Sequence, residues 1–370
     1  MKKKVLFIMH MPPPVHGAAM VGQWIHDSKI INESFDTYYI NPSVSLNVSE
    51  VGKVSILKLW LFIKLLFNII RTILSVKPDL CYYTPTSDGY GIYRDALTIS
   101  FIRFLNVKVV LHFHNKGVRE YSVHRIARIA YRLVFRKVKV ILIANQLYND
   151  ISDYVNKDDV YFLSNGIPRS VSDVKYGEIL KKRREGKHFN RLLFLSNLIT
   201  TKGVWVLLEA CEKLNKNKIP FQCYYVGNSG DVSLETLKQE VKRRGLQDCV
   251  FVEGPKYNDE KEYYFINSDI FVFPTYHETF GLVLLESMEY GLPCITTPEG
   301  GIPSLVINND NGILVQQHSS QDLYIAIKDL IFNISKRQCI GEKGHNMFIK
   351  KYTIEHFEYN LRSILLNITR

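Results

Sequence analysis

Short runs of β-branched, leucine and aromatic residues recur along this chain, each closed by glycine, proline or polar residues and followed by a stretch of helical periodicity. Such runs occupy 4–10, 80–83, 107–115, 138–144 and 160–164, and a fresh series follows at 191–198, 221–226, 250–253, 270–273 and 294–296. Strands alternating with helices predict parallel sheets covered on both faces. Between the series, the segment 168–190 is polar, contains Lys181-Lys-Arg-Arg184 and has few apolar anchors, which predicts a linker. The 370 residues are long for one domain and comfortable for two. The predicted class is therefore α/β, with two Rossmann-like doubly wound domains. The first spans 1–168, the linker 169–190 and the second 191–350. The amphipathic end, 351–370, forms a last helix over about 352–368.

The second series contains the most concentrated run, Pro274-Thr-Tyr-His-Glu-Thr-Phe-Gly-Leu-Val-Leu-Leu-Glu-Ser-Met-Glu-Tyr-Gly-Leu-Pro293. Pro274 ends a strand, the polar residues 275–279 cannot continue it inside a sheet, and 282–288 has helical composition closed by Gly291 and Pro293. Glu278 then stands in the loop and Glu286 in the helix. Backbone N–H groups at a helix start, here near Phe280, Gly281 and Leu282, form an anion site, and Gly281 removes the side chain that would block close approach. The two carboxylates flank those amides and can accept hydrogen bonds from the vicinal hydroxyls of a sugar or ribose. For either glutamate alone, an ordinary solvated position is the alternative.

In the first series, Pro12-Pro-Pro-Val-His-Gly-Ala-Ala19 ends the first strand, and a helix begins near Gly17 or Ala18. Small residues there suit either ligand approach to the backbone or a proline-stiffened turn. His112 and His114 alternate onto one face near the C-terminal end of their strand, where open α/β sheets bind ligands. The greasy segment 56–76 includes Lys58, Lys64 and Arg71. Each cation at a bilayer centre would cost roughly 2.5–3.5 kcal/mol, so spanning is disfavoured. The helix either packs on the sheet or lies on an anionic bilayer surface. Gly254, Gly300 and Gly301 are further glycines at strand ends that suit nucleotide contact or simple turns.

Composition narrows the partners. Hydrophobic residues make up 46% and charged residues 22%, which is globular. The net charge of +11 suggests an acidic partner, whether nucleic acid, anionic lipid or a phosphorylated substrate. The basic residues are dispersed and no nucleic-acid module is recognisable, so nucleic acid is not expected. Six scattered cysteines without C-x-x-C read as buried, reduced thiols of a cytoplasmic protein. The apolar run 5–9 is too short for an export signal, which makes the Asn-x-Ser/Thr triplets at Asn32, Asn47, Asn333 and Asn367 chance matches. No Asp-x-Asp and no His/Cys ligand cluster occurs, so no metal is expected.

Glu278 through Glu286 resembles the E-x7-E motif of the retaining, GT-B-fold glycosyltransferases of the large group 1 (family 4) class. Ser196-Asn-Leu-Ile-Thr-Thr-Lys-Gly203 resembles that family's G-R-L-x-x-x-K-G, with Asn197 where many members have arginine. His16-Gly17-Ala18 resembles the family loop between donor and acceptor, and Asn165-Gly-Ile resembles the N-G-I that precedes the interdomain linker. The resemblance implies two domains facing a central cleft and a C-terminal helix returned to the first. It also implies a metal-independent, hexosyltransferase-type enzyme with no cofactor beyond a UDP- or GDP-sugar co-substrate.

Residue by residue, Glu278 would hold the donor sugar, Glu286 the ribose and Lys202 the diphosphate. His114, favoured over His112, would lie near the donor sugar, and catalysis would depend on domain closure. Donor contacts are expected from Gly17, Asn197, Lys202, Gly254, Phe280, Gly281, Leu282 and Glu286. Acceptor-side contacts are expected from His16, Ala18 and His112. The expected acceptor is a lipid-linked or surface-polysaccharide (capsule or O-antigen) intermediate, met at the inner face of the plasma membrane. The rival readings are a GT-B epimerase or hydrolase and a catalytically silent nucleotide-sugar-binding subunit.

Overall fold

The computed structural model describes residues 2–13, 15–42, 56–185 and 190–370. The chain divides into two compact units, one comprising Met1–Asn165 with Ile354–Arg370 and the other Gly166–Thr353. The Asn47 triplet and residues 186–189 of the expected linker lie outside the described residues.

The first unit is built on a six-stranded parallel sheet of β1 (Lys4–Ile8), β2 (Asp36–Ile40), β3 (Leu80–Tyr83), β4 (Lys108–Phe113), β5 (Lys139–Leu142) and β6 (Val160–Phe162), in the order β2-β1-β3-β4-β5-β6. Its central strands are buried except for the leading lysines of β1 and β4, as their apolar runs require. The helices Ile56–Val76, Gly91–Phe104 and Arg125–Val134 connect strands that advance in one direction across the sheet. Right-handed crossovers put all three on the same face, and Gly91–Phe104 packs against both of the others. The Ile354–Thr369 helix buries Phe357, Leu361 and Leu365, and its Arg362 Nε donates to Ser34 Oγ at 2.7 Å.

The second unit repeats the plan with β7 (Asn190–Leu195), β8 (Phe221–Val226), β9 (Val250–Gly254), β10 (Ile270–Phe273), β11 (Cys294–Thr296) and β12 (Gly312–Leu314), all parallel, in the order β12-β11-β10-β7-β8-β9. The strand order reverses between β7 and β10, as it does between β1 and β3 in the first unit. Ligands of doubly wound sheets bind beyond the carboxyl ends of the strands at such reversals.

Within the stretch expected to be a linker, Asp173–Glu185 is instead a helix of the second unit. Val171 and Ile179 are buried. Arg183 donates to Tyr290 O at 2.7 Å and to Phe265 O at 2.8 Å, with burial lowering its pKa to about 10. Tyr176 stacks on His345 at 3.5 Å, and the Val171 N–H donates to Glu289 at 2.7 Å. The stretch lacks a hydrophobic pattern because a guanidinium, a carboxylate and a ring supply much of its attachment.

All six cysteines are free, but Cys339, expected to be buried, is exposed on the Ile334–Lys351 helix. No helix among the described residues is long and apolar enough to cross a membrane. The Ile56–Val76 helix buries Ile69 and Ile73 near its C-terminal end, while Leu57, Trp60, Ile63, Phe67 and Leu74 are exposed. The side chain of Lys58 lies outside the described residues.

Candidate functional site

At the strand reversal of the second unit, the loops after β7 and β10 are fastened together by backbone. Thr201 O accepts from the Tyr276 N–H at 2.8 Å and from Thr275 Oγ1 at 3.1 Å. Gly203, at φ 84°, leads the Val204–Lys216 helix, and a Cβ there would stand 2.2 Å from Pro274 O. Only glycine allows that approach. The junction brings Lys202 Nζ to 2.8 Å from Glu278 Oε2 and 2.9 Å from His277 O, with each side chain of the ion pair 19% exposed.

The other oxygen, Glu278 Oε1, accepts the N–H groups of Thr279 at 2.9 Å and Phe280 at 3.3 Å. Burial pushes the carboxyl pKa up, but the Lys202 charge, its hydrogen bond and the two amides outweigh burial and hold it below the ordinary value. Glu278 is therefore an ionised, fixed acceptor. The Phe280 N–H, expected to be free for an anion, is taken by this carboxylate. Gly281, at φ 87°, then opens the Leu282–Glu289 helix without a side-chain cap, and the Val204–Lys216 helix also lacks one. Two helix starts without a side-chain cap thus lie beside a lysine, an arrangement suited to a diphosphate.

Glu286 lies within the Leu282–Glu289 helix, and its Oε1 is 2.9 Å from Lys261 Nζ. Gly300, at φ 53°, passes so close that a Cβ would lie 2.2 Å from Glu278 O, and the Gly301 N–H donates to Thr279 O at 2.7 Å. Asn197 is exposed in the loop after β7, and its carbonyl accepts the Ile199 N–H at 2.8 Å. Gly254 closes β9 at φ 72°. Among the described residues no three His, Cys, Asp or Glu side chains gather as metal ligands would.

The first unit gathers histidines at the carboxyl edge of its sheet. The rings of His112 and His114 are 4.1 Å apart, so both do face one way. His112 is buried, its Nδ1 hydrogen-bonded to Tyr82 OH, and burial, reinforced by His114, keeps its pKa well below the usual value. Burial, with His10 and His16 nearby, lowers His114 to about 3, and its buried Nδ1 has no partner. His10, after β1, is lowered to about 4 by burial and by Arg94. His16 caps the Gly17–Asp27 helix, its Nδ1 accepting the Ala19 N–H at 3.3 Å, so Gly17 and Ala18 are the first helical residues. These histidines are neutral near pH 7 and suited to hydrogen bonding rather than to proton transfer.

Sequence reasoning passed over His10, Arg94, Lys261 and Glu299. His10 follows β1 as His114 follows β4, which was a usable signal. Lys261 pairs with Glu286 from a separate helix, and Glu299 Oε1 accepts the Glu278 N–H at 3.5 Å. Neither partnership follows from local spacing.

Residues 176–347 match the family described as Glycosyl transferases group 1. The amylovoran biosynthesis glycosyltransferase AmsK of Erwinia amylovora is 32% identical over 139 residues, 36% of this chain and 34% of that one. The first such curated relatives are matched over only 37% of their own length. A glycosyltransferase from Rickettsia africae ESF-5 superposes with a TM-score of 0.78 at 18% identity, over 100% of this chain and 99% of that one. Anabaena HepE, solved in complex with UDP and glucose, gives 0.72 at 17% identity over 99% of both chains. The shared fold is GT-B.

Proposed function

Because residues 176–347 match the family of group 1 glycosyl transferases, we propose that the protein moves a hexosyl group, with retention, from a UDP- or GDP-sugar to a hydroxyl acceptor. The observation that carries this reading is Lys202, fixed on Glu278 at the strand reversal between two uncapped helix starts. UDP and glucose bound to HepE support a nucleotide-sugar donor. The name of AmsK, an amylovoran biosynthesis glycosyltransferase, supports an acceptor of polysaccharide biosynthesis, and a lipid-linked or surface-polysaccharide intermediate at the cytoplasmic face of the membrane is the acceptor we propose.

In this reading the acceptor hydroxyl attacks C1 as the bond from C1 to the phosphate oxygen breaks on the same face. The acceptor proton passes to that leaving oxygen, so no carboxylate base is needed. Lys202 and the amides near Gly281 and Leu282 offset the growing diphosphate charge without metal. Two amides occupy Glu278 Oε1 and Lys202 occupies one lone pair of Oε2, which leaves a lone pair for a donor hydroxyl. Glu286 exchanges Lys261 for ribose hydroxyls. Neutral His114 remains a hydrogen-bonding group at the carboxyl edge of the first unit's sheet.

Incubating the protein with UDP- and GDP-hexoses, with and without acceptor lipids, tests the reading by mass spectrometry. Acceptor-dependent release of nucleoside diphosphate, persisting in EDTA, is expected. Asn197, where many members of the family have arginine, keeps the alternative of a silent binding subunit open. Donor that raises the melting temperature without turnover would establish that alternative, and donor consumed at the same rate without acceptor would establish a hydrolase or epimerase.

A further inference from the structure

The outward face of the Arg125–Val134 helix has an unusual composition. Ala127, Ala130, Tyr131 and Val134 are turned to the sheet, while Ile126, Ile129 and Leu133 are exposed, Ile126 at 69%. Each exposed apolar residue is preceded in sequence by an exposed arginine, Arg125, Arg128 or Arg132, and exposed Arg136 follows one turn later. Two parallel ridges, one apolar and one cationic, therefore run along a helix that contains no acidic residue. Like charges at these spacings repel one another, so an isolated surface gains nothing from the pattern.

The adjacent helices extend it. Gly91–Phe104 exposes Leu97, Phe101 and Phe104, the last at 82%, and its one acid, Asp95, is buried against Arg94 and Tyr83. Ile56–Val76 exposes Trp60, Ile63 and Phe67 beside exposed Lys64 and Arg71, and it too has no acid. The three helices lie side by side on one face of the sheet. Soluble surfaces rarely keep so many large apolar groups together.

We infer that this three-helix face docks the N-terminal unit on an anionic lipid bilayer, lying in the interface plane. The apolar ridges would enter the boundary between headgroups and acyl chains, and the arginine stems would lie along it with their guanidinium groups on lipid phosphates. A continuous anionic plane fits cations spread over three helices without matching acids, whereas a protein partner would supply discrete acidic contacts. The inference deepens the membrane contact in the proposed function and rests on that reading only for the reaction performed there.

Flotation of the full chain with phosphatidylcholine vesicles, with and without phosphatidylglycerol, tests it. Binding is expected only with phosphatidylglycerol and should weaken as salt rises. The pair Arg128→Glu/Arg132→Glu should lower vesicle partitioning at least about tenfold, each lost cation alone accounting for roughly fivefold. The pair Ile129→Ser/Leu133→Ser should also lower it about tenfold or more, because the apolar ridge is removed with the charge intact. All four side chains are exposed, so circular dichroism and melting temperature should be unchanged, and nucleoside diphosphate release should remain in both variants. No binding to phosphatidylglycerol vesicles at low salt, equal binding to phosphatidylcholine alone, or undiminished binding by both variants would overturn the inference. In each case intact donor turnover would leave the proposed function standing; vesicle binding with no turnover would reverse that outcome.

Discussion

Lys202 and Glu278 hold each other in place before any donor arrives, so the cation is preorganised and the carboxylate stays ionised. Removing one such preorganised donor costs about 10²–10³ in turnover, and Lys202→Ala should lower nucleoside diphosphate release by that factor. Glu278→Gln keeps an acceptor for the Thr279 and Phe280 amides but loses the charge that fixes Lys202. It should fold normally and turn over about a hundredfold more slowly, measured by the same release assay. The histidines make a pH prediction. Burial keeps His114 neutral down to about 3 and His10 down to about 4, so turnover should show no inflection near pH 6.5. Stability should respond instead. The unfolded chain binds protons on these residues below about 6.5 and the folded unit does not, so the melting temperature should fall as pH drops from about 6.5 toward 4. His114→Asn should flatten that fall. Glu278 and Lys202 were legible as residues, whereas their mutual ion pair was not, since it joins positions 202 and 278 across a strand reversal that local pattern does not encode.

At the level of elements, the site depends on loops that touch through glycine. Gly203→Ala meets both an unfavourable φ of 84° and the Pro274 carbonyl at 2.2 Å, whereas Gly245→Ala, at φ 67°, meets nothing within 4 Å. The second change should cost about 1–2 kcal/mol for the left-handed backbone alone. The first should exceed it by at least about 1 kcal/mol and weaken donor binding as well, which urea titration and donor isotherms would separate. Buried central strands such as Leu80–Tyr83 and Ile270–Phe273 were legible to the residue because continuous apolar runs mark them. The edge strands Asp36–Ile40 and Gly312–Leu314 were not, the first being half polar and the second only three residues long. The Asp173–Glu185 helix escaped for a different reason: Arg183 reaches backbone carbonyls, and such attachment leaves no hydrophobic period to read.

Across the whole molecule, both sheets are doubly wound, and both gather their chemistry at the carboxyl ends of the strands. That much followed from the alternation of runs along 370 residues. The net charge of +11 suggested an acidic partner but not its location. The outward ridges of the Arg125–Val134 helix supply a location, and they were overlooked because their arginines resemble any solvated helix face until packing shows which side is covered. In the proposed function Lys202, set between two helix starts, makes the second unit a nucleotide-sugar donor site that supports transfer. The measurement that tests it most directly is mass-spectrometric release of nucleoside diphosphate from a panel of UDP- and GDP-sugars by the intact chain and by Lys202→Ala. Acceptor-dependent release from at least one donor is expected, reduced about 10²–10³-fold in the variant while its fold is retained. Equal release by both proteins, or no release from any donor with acceptor lipids present, would contradict it.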